Sequence, residues 1–167
     1  MSQKVTRWEG KYLRIVTDGG WEYVERVGGM TAVVIIAVHD GKFILVEQAR
    51  VPIGGRRCIE LPAGLVGDED DKGIEDTAIK ELEEETGFLC DRVERLDEFF
   101  SSPGMVAEGY TLVRAHRVRP GGIKSEEDID VHLVAPDEMA GFIAAKRAEG
   151  LAIDTKLLLL LAGNLLG

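Results

Sequence analysis

The sequence predicts an α+β protein with a sandwich-like architecture. Two observations favour this class: strand-like segments lie both before and after one acidic helix, and further helical segments follow towards residue 167. A length of 167 residues suits one main domain with a core of its own, with room for a small extension. No internal repeat or low-complexity linker divides the chain further.

Two hairpins are predicted before residue 50. Residues 11–27 alternate apolar and polar side chains on both sides of a DGG turn, which is typical of a hairpin. Residues 31–50 repeat this pattern around a DG turn, with many β-branched residues in one arm. Because a Gly-Gly pair separates the hairpins, residues 1–28 are expected to form a small appended sheet and residues 29–167 the main domain.

The acidic helix is predicted over about residues 74–86. One apolar stripe suits packing on a sheet, and Glu81, Glu84 and Glu85 share the neighbouring face because a helix turns about 100° per residue. Lys80 relieves the repulsion only at Glu84. Two interpretations remain open for this carboxylate row: a solvated helix face, or a site for Mg²⁺ or Mn²⁺, hard ions that prefer oxygen ligands.

The rest of the chain is predicted to continue with strands and then helices. A glycine at position 87 suits the end of the acidic helix. Five later elements are expected, namely strands over residues 91–100, 109–118 and 131–135, a helix from Pro136 to about Gly150, and a last helix from about Asp154.

The negative net charge of the chain indicates which kinds of partner it can bind. The formal net charge is −10, which disfavours a nucleic-acid backbone and suits a protein that binds cations. The N-terminal segment has no apolar run, so no secretory signal is predicted. The apolar run at residues 157–162 is far shorter than the ~20 residues of a membrane span, so no membrane partner is expected. Cys58 and Cys90 form no CxxC pair, which favours a reducing cytoplasm.

The stretch GLVGDEDDKGIEDTAIKELEEETGF, residues 64–88, resembles the signature of the Nudix hydrolases. Its second half matches closely, from the basic residue at Lys80 to Phe88. Three departures are visible: Asp70 replaces a glutamate, nine residues rather than seven separate Asp70 from Lys80, and Lys80 replaces an arginine. Because an ammonium cannot hold a carboxylate with two parallel hydrogen bonds, the last departure bears on how the glutamates are oriented.

Further motifs resemble the ADP-ribose pyrophosphatases of that family. These are EQAR at residues 47–50, ELPAG at residues 60–64, Pro103 sixteen residues after Gly87, and SEEDIDVHLV at residues 125–134. The resemblance implies a Nudix-type α/β/α sandwich of mixed sheet and helices, with an N-terminal antiparallel β extension that serves a homodimer. Trp21 and Tyr23 in that extension are then either hairpin-face aromatics or residues that stack on an adenine across the dimer.

The resemblance also implies site residues and a cofactor, Mg²⁺ with Mn²⁺ as the alternative. The metal ligands would be the backbone carbonyl of Ala63 and the carboxylates of Glu81, Glu84, Glu85 and Glu127. Arg50, Glu60 and Glu108 match positions that bind substrate. The family's general base is an acidic loop residue, but the aligned position is Ser125, so Glu126 is predicted as the base beside Glu84 and Glu85 in the catalytic set.

Hydrolysis of a pyrophosphate requires a water to approach a phosphorus that is ringed by anionic oxygens, and metal ions neutralise that charge. The expected reaction is Mg²⁺-dependent cleavage of a nucleoside diphosphate sugar, above all ADP-ribose to AMP and ribose 5-phosphate. GDP-mannose or another nucleotide sugar is the alternative substrate. A non-catalytic nucleotide-sugar sensor is the alternative from another class, favoured by Ser125 and Lys80 and disfavoured by the retained glutamates.

Overall fold

A computed structural model describes residues 3–67 and 73–158 of the chain. Asp70 and most of the predicted last helix lie outside these residues. The strands in the described part are β1 (Val5–Glu9), β2 (Leu13–Asp18), β3 (Trp21–Arg26), β4 (Thr31–Ile36), β5 (Val38–His39), β6 (Lys42–Arg50), β7 (Arg56–Glu60), β8 (Ala63–Val66), β9 (Phe88–Leu89), β10 (Arg92–Phe100), β11 (Gly109–His116), β12 (Arg119–Pro120), β13 (Ile129–Val134) and β14 (Ala152–Ile153). The helices are α1 (Ile74–Thr86) and α2 (Met139–Ala148), and short 3₁₀ turns lie at Val27–Gly29 and Val51–Ile53.

The first predicted hairpin is confirmed and carries a third strand. β2 and β3 pair antiparallel from Leu13 opposite Arg26 to Asp18 opposite Trp21, and β1 pairs with the other edge of β2. This small sheet is hydrogen-bonded to the rest of the chain through Val24, whose N–H donates to the Met105 carbonyl and whose carbonyl accepts from the Ala107 N–H. Trp21 is 64% exposed, so its ring lies on the sheet surface.

The second predicted hairpin is wrong in its first arm. β4 does not pair with β6; it pairs in parallel with β11 and antiparallel with β8. Only the two residues of β5 pair with β6 across the DG turn, where Asp40 and Gly41 both have positive φ. The reason is burial: alternate residues of β4 pack into different cores, so this strand is covered on both faces and needs a central position in a sheet.

Two cores lie on opposite faces of the central strands. Val33 and Ile35 of β4 pack with Ala78 and Leu82 of α1, whereas the neighbouring residues of β4 pack with Met139 and Ile143 of α2. The strands form a four-stranded sheet in the order β10-β11-β4-β8 and a second sheet in the order β13-β6-β7-β14. Both sheets contain parallel and antiparallel pairs. The predicted α/β/α sandwich with an N-terminal antiparallel extension is therefore confirmed.

Two predicted boundaries are corrected. The glycines and arginines of residues 50–58, RVPIGGRRC, predict a loop, but β7 already begins at Arg56. The helix expected from Pro136 begins at Met139, because a turn closed by the Glu138 N–H on the Ala135 carbonyl precedes it. None of the helices in residues 3–67 and 73–158 is both long and apolar enough to cross a membrane.

Candidate metal and phosphate site

The carboxylate row on α1 lies at the edge of a buried helix face, as the sequence predicts. Leu82 is fully buried, and Gly87 ends the helix with φ of 74° while its N–H donates to the Glu83 carbonyl at 2.7 Å. Glu85 is also buried, with only 7% of its surface exposed, whereas Glu81 lies half-buried beside it. The carboxylates of this helix face therefore lie at different depths, with Glu85 deeper than Glu81.

Glu85 is a buried carboxylate with too little positive charge around it. Its Oε2 accepts a hydrogen bond from the Ala63 N–H at 3.0 Å. Burial raises the pKa of Glu85 to about 8; the Ala63 hydrogen bond opposes the rise, and the nearby charge of Glu81 adds to it. A cation at this point would favour the ionised carboxylate, so the environment of Glu85 fits a metal ligand.

Glu81 lies directly against the backbone of Gly64 on β8. A Cβ placed on Gly64 would come within 2.2 Å of the Glu81 Cγ and 2.5 Å of its Oε1. Only glycine allows this approach. The contact brings a second carboxylate next to the Ala63–Gly64 backbone, so Glu81, Glu85 and the Ala63 peptide converge at one place.

Glu84 points to a different neighbour. Its Oε2 lies 3.5 Å from Nζ of Lys80, one helical turn earlier, and 43% of its side chain is exposed. Its backbone carbonyl accepts a hydrogen bond from the Ser125 N–H at 2.8 Å. Helix α1 is thereby connected to the loop that carries the two predicted loop glutamates.

A metal cage is not preassembled in the part of the chain that the structure describes. No group of three or more His, Cys, Asp or Glu side chains stands in metal-binding geometry there. Glu81 and Glu85 adjoin the Ala63 peptide, Glu84 lies towards Lys80, and Glu127 stands on the neighbouring loop. The available donors are all oxygens, the ligand type that Mg²⁺ and Mn²⁺ prefer, and these side chains would have to rotate to meet at one ion.

Arg50 and Glu60 form a two-pronged ion pair next to this cluster. Arg50 Nε donates to Glu60 Oε1 at 2.8 Å, and Arg50 Nη2 donates to Glu60 Oε2 at 2.5 Å. Glu60 is buried, and its hydrogen bond raises the pKa of Arg50. Because 43% of the Arg50 side chain remains exposed, the guanidinium is held in place while part of it faces solvent.

A cavity of about 490 Å³ joins these groups. Its wall includes Arg50 and Glu60, the Ala63–Gly64 backbone, and Glu108 in an ion pair with Arg26. The cavity is also lined by four residues that no sequence signal marked: Arg26, Tyr110, Asp154 and Lys156. Arg26 belongs to the N-terminal sheet, so its place in the cavity wall could not be read from its position in the sequence. The Asp154–Lys156 ion pair stands where only the start of a helix was predicted.

Most of the chain, including the residues of this cluster, matches a known protein family. A model of the NUDIX domain matches residues 29–154. The chain belongs to the Nudix family. The match covers α1, the Ala63–Gly64 backbone, Arg50, Glu60 and the loop glutamates, so the described cluster lies within the Nudix domain.

Several curated proteins are similar in sequence. A methanol dehydrogenase activator of Bacillus methanolicus is 35% identical over 121 residues, 70% of this chain and 64% of that protein. An ADP-ribose pyrophosphatase of Bacillus subtilis strain 168 is 42% identical over 78 residues, 46% of this chain and 40% of that protein. A GDP-mannose pyrophosphatase of Enterobacter sp. strain 638 is 36% identical over 129 residues, 71% of this chain and 65% of that protein. The chain thus spans less than two thirds of the length of these relatives.

A solved structure supports the Nudix fold. The crystal structure of an ADP compounds hydrolase superposes with a TM-score of 0.68, covering 85% of this chain and 80% of that one, at 16% identity. At this identity the likeness concerns the fold alone.

The predicted loop residues stand apart from the glutamates of the Nudix helix. Glu126 and Glu127 are exposed in the turn before β13, and neither lines the cavity. Ser125 precedes them, and its Oγ is buried without a hydrogen-bond partner within the described residues. The structure therefore brings Arg50, Glu60 and Glu108 to one cavity and the helix carboxylates to its edge, while the loop glutamates lie outside the cavity and their loop is joined to α1 by the Ser125 N–H.

Proposed function

We propose that this chain hydrolyses the pyrophosphate bond of a nucleoside diphosphate sugar with a divalent cation, and that its substrate is ADP-ribose, cleaved to AMP and ribose 5-phosphate. One observation carries the proposal: Glu81 and Glu85 converge on the Ala63–Gly64 backbone at the edge of a cavity that also exposes Arg50. Carboxylates for a metal and a guanidinium for a phosphate are the groups that such a reaction needs. Relatives named as ADP-ribose pyrophosphatases support the choice of substrate.

Mg²⁺ is the proposed cation, with Mn²⁺ as the alternative. Glu81, Glu85 and the Ala63 carbonyl would hold it, and Glu84 and Glu127 would complete or support the ligand set. When bound, such a cation neutralises charge on the phosphates and lowers the pKa of water. The raised pKa of Glu85 supports this assignment, because a buried carboxylate surrounded by other carboxylates is stabilised most by a positive ion.

Arg50 is proposed to bind a phosphate of the substrate. Glu60 fixes the guanidinium with two hydrogen bonds, so little side-chain freedom is left to lose on binding. Glu108 is proposed to bind substrate from the same cavity wall, where Arg26 holds its carboxylate. Both ion pairs therefore position a charged group towards the cavity before substrate arrives.

Glu126 is proposed as the general base that accepts the proton of the attacking water. It is exposed, and the Ser125 N–H ties its loop to the carbonyl of Glu84 on the metal-binding helix. Glu126→Gln should lower kcat about 10²-fold or more while leaving the affinity for Mn²⁺ nearly unchanged, since the carboxylate acts on a proton and not on the metal. Parental kcat in this variant would place the base elsewhere.

The experiment that tests the proposed function is turnover against a substrate panel, with Mg²⁺ and with EDTA. The panel contains ADP-ribose, ADP-glucose, GDP-mannose, NADH and diadenosine polyphosphates. We expect cation-dependent release of AMP, fastest from ADP-ribose. Faster cleavage of GDP-mannose would move the chain to the activity that the Enterobacter relative is named for. Saturable binding without turnover would indicate a nucleotide-sugar sensor.

We also propose that residues 1–28 form a homodimer contact, and that the protein works in the cytoplasm. Trp8, Leu13 and Ile15 of the small sheet are large apolar residues with 56%, 42% and 43% of their surface exposed. A second copy of this sheet would cover them. Light scattering on the whole chain should give twice the monomer mass, and Ile15→Asp should halve it. Cys58 and Cys90 are both free and buried, which agrees with a reducing compartment.

A further inference from the structure

A second set of charged residues lies on the sheet face opposite the cavity. Side chains alternate between the two faces of a strand, so on β6 Glu47 points away from Arg50, and on β7 Arg57 points away from Glu60. Asp130 of β13 lies directly opposite Glu47 in the sheet register. These groups are therefore separated from the metal and phosphate cluster by the sheet itself.

Arg57 connects this charged set to the neighbouring loop. Its Nε donates to Glu47 Oε1 at 2.7 Å, and its Nη2 donates to the Glu47 carbonyl at 2.9 Å. The same guanidinium donates to Asp130 Oδ2 at 2.7 Å and, through Nη1, to Asp128 Oδ2 at 3.1 Å. One side chain thus joins β6, β13 and the turn in front of β13.

The hydrogen bonds to Glu47 fix the position of the Arg57 guanidinium independently of its contacts with the loop. An exposed ion pair usually contributes little, since holding two flexible side chains together costs conformational entropy. Here Glu47 is buried and fixes Arg57 on one side through both its carboxylate and its backbone carbonyl. Asp128 and Asp130 therefore bind a cation that is already ordered, and less entropy opposes the contact.

The loop that Arg57 reaches is the one that carries the proposed base. Glu126 and Glu127 stand between two attachment points: the Ser125 N–H bound to the Glu84 carbonyl, and Asp128 bound to Arg57. Across the turn, the Ile129 N–H donates to the Glu127 carbonyl at 2.8 Å. Both loop glutamates are exposed, so packing does little to hold them, and within the described residues Lys124 Nζ reaches only the Glu127 carbonyl, at 3.4 Å.

We propose that Arg57 is a positioning residue that tethers the turn at residues 126–128 to the sheet and so holds Glu126 and Glu127 towards the helix glutamates. This inference rests on the proposed function for its catalytic consequence, although the tether itself does not depend on it. Small displacements of a reacting group lower turnover steeply, so a tether on the far side of the sheet can affect kcat without contacting substrate.

Lys146 of α2 provides a matched control. Its Nζ also binds Glu47, at 3.1 Å from Oε2, but it makes no contact with Asp128 or Asp130. Arg57→Met and Lys146→Met each remove one cation from the same buried carboxylate. Only Arg57→Met releases the turn. The double substitution Asp128→Asn with Asp130→Asn weakens the same link from the other end, because it removes both negative charges, and leaves Glu47 fully paired.

The experiment compares these variants by kcat and KM for the pyrophosphate substrate, and by amide hydrogen exchange at Ser125 and Ile129. Arg57→Met and the double asparagine variant should each lower kcat roughly five- to tenfold with KM nearly unchanged, and should speed exchange at Ile129. Adding the asparagine substitutions to Arg57→Met should lower kcat no further, because all of them act on the same link. Lys146→Met should lower the melting temperature while keeping kcat and Ile129 exchange at the parental values.

Parental kcat and Ile129 exchange in Arg57→Met and in the double asparagine variant would overturn the proposal, as would an equal loss of kcat in Lys146→Met. Hydrogen exchange separates this inference from the proposed function. If the parent protein hydrolyses no substrate, the proposed function fails, whereas faster Ile129 exchange in Arg57→Met still supports the tether and unchanged exchange overturns it.

Discussion

Two glutamates of this protein expose equally little of their surface and have opposite electrostatic environments. Glu85 on α1 and Glu47 on β6 each expose 7% of their surface. Burial raises the pKa of Glu85 to about 8, whereas at Glu47 burial is outweighed by hydrogen bonds from Arg57, Lys146 and His132, which lower the pKa to about 2. Low solvent exposure alone therefore does not decide the charge state of a carboxylate; its depth and its hydrogen-bond partners do.

The difference separates a carboxylate that stabilises the fold from one that we propose as a metal ligand. Glu47 accepts hydrogen bonds from cationic or imidazole groups on β7, β13 and α2, so its charge is compensated within the fold. Glu85 accepts a hydrogen bond from the Ala63 N–H, and the attraction of Arg50 is opposed by the carboxylates of Glu81 and Glu60. A buried charge without compensation destabilises a protein, and such charges are found where a ligand supplies the missing counter-charge.

The largest expected effect concerns Glu85. Glu85→Gln removes a proposed metal ligand while keeping the shape of the side chain, so kcat should fall by about 10³-fold. The melting temperature in EDTA should stay nearly unchanged at neutral pH, because a metal-free carboxyl with a pKa of about 8 is largely neutral and is replaced by a neutral amide. Turnover with Mg²⁺ and thermal unfolding with EDTA measure the two quantities. Near-normal kcat would overturn the assignment of Glu85 as a metal ligand, and the contrast with Glu47 would then have no functional meaning.

The next largest effect concerns Glu47, where substitution should lower stability strongly and kcat only weakly. Glu47→Gln removes the charge that Arg57 and Lys146 share, and breaking a buried ion pair costs about 3 kcal/mol of unfolding free energy. Urea unfolding followed by circular dichroism measures this loss. Since Glu47 lies on the sheet face away from the cavity, kcat of the folded variant should fall far less than in Glu85→Gln. A variant as stable as the parent would show that the network adds nothing to the fold.

The sequence predicts the helix that carries Glu85 but not the environment of Glu47. Periodicity and a terminal glycine are local signals, and α1 begins and ends at the predicted residues. The pairing of β4 with β11 is not local, because the two strands are separated by most of the domain, and the hairpin predicted over residues 31–50 failed for that reason. Arg57 was assigned to a loop, so nothing in the sequence indicated that it joins three elements.

The same limit applies to the candidate site. The spacing of Glu81, Glu84 and Glu85 predicts a shared helix face, and the motif predicts the neighbouring Ala63. The depth of each carboxylate does not follow from spacing: Glu85 is buried and bound to Ala63, while Glu84 is half-exposed and paired with Lys80. Burial depends on the strands that cover α1, which are distant in the sequence.

The smallest expected effect is a loss of stability in acid. The pKa of Glu47 is lowered from 4.5 to about 2 in the folded protein, so the folded state binds this proton less readily than the unfolded state. The contribution of Glu47 is therefore complete above about pH 4.5 and is lost as the pH falls towards about 2. Urea unfolding across this range, with Glu47→Gln beside the parent, isolates the effect, because the variant lacks the titrating group. The difference in unfolding free energy between the two proteins should shrink as the pH falls; a constant difference would mean that Glu47 stabilises the fold through packing and not through its charge.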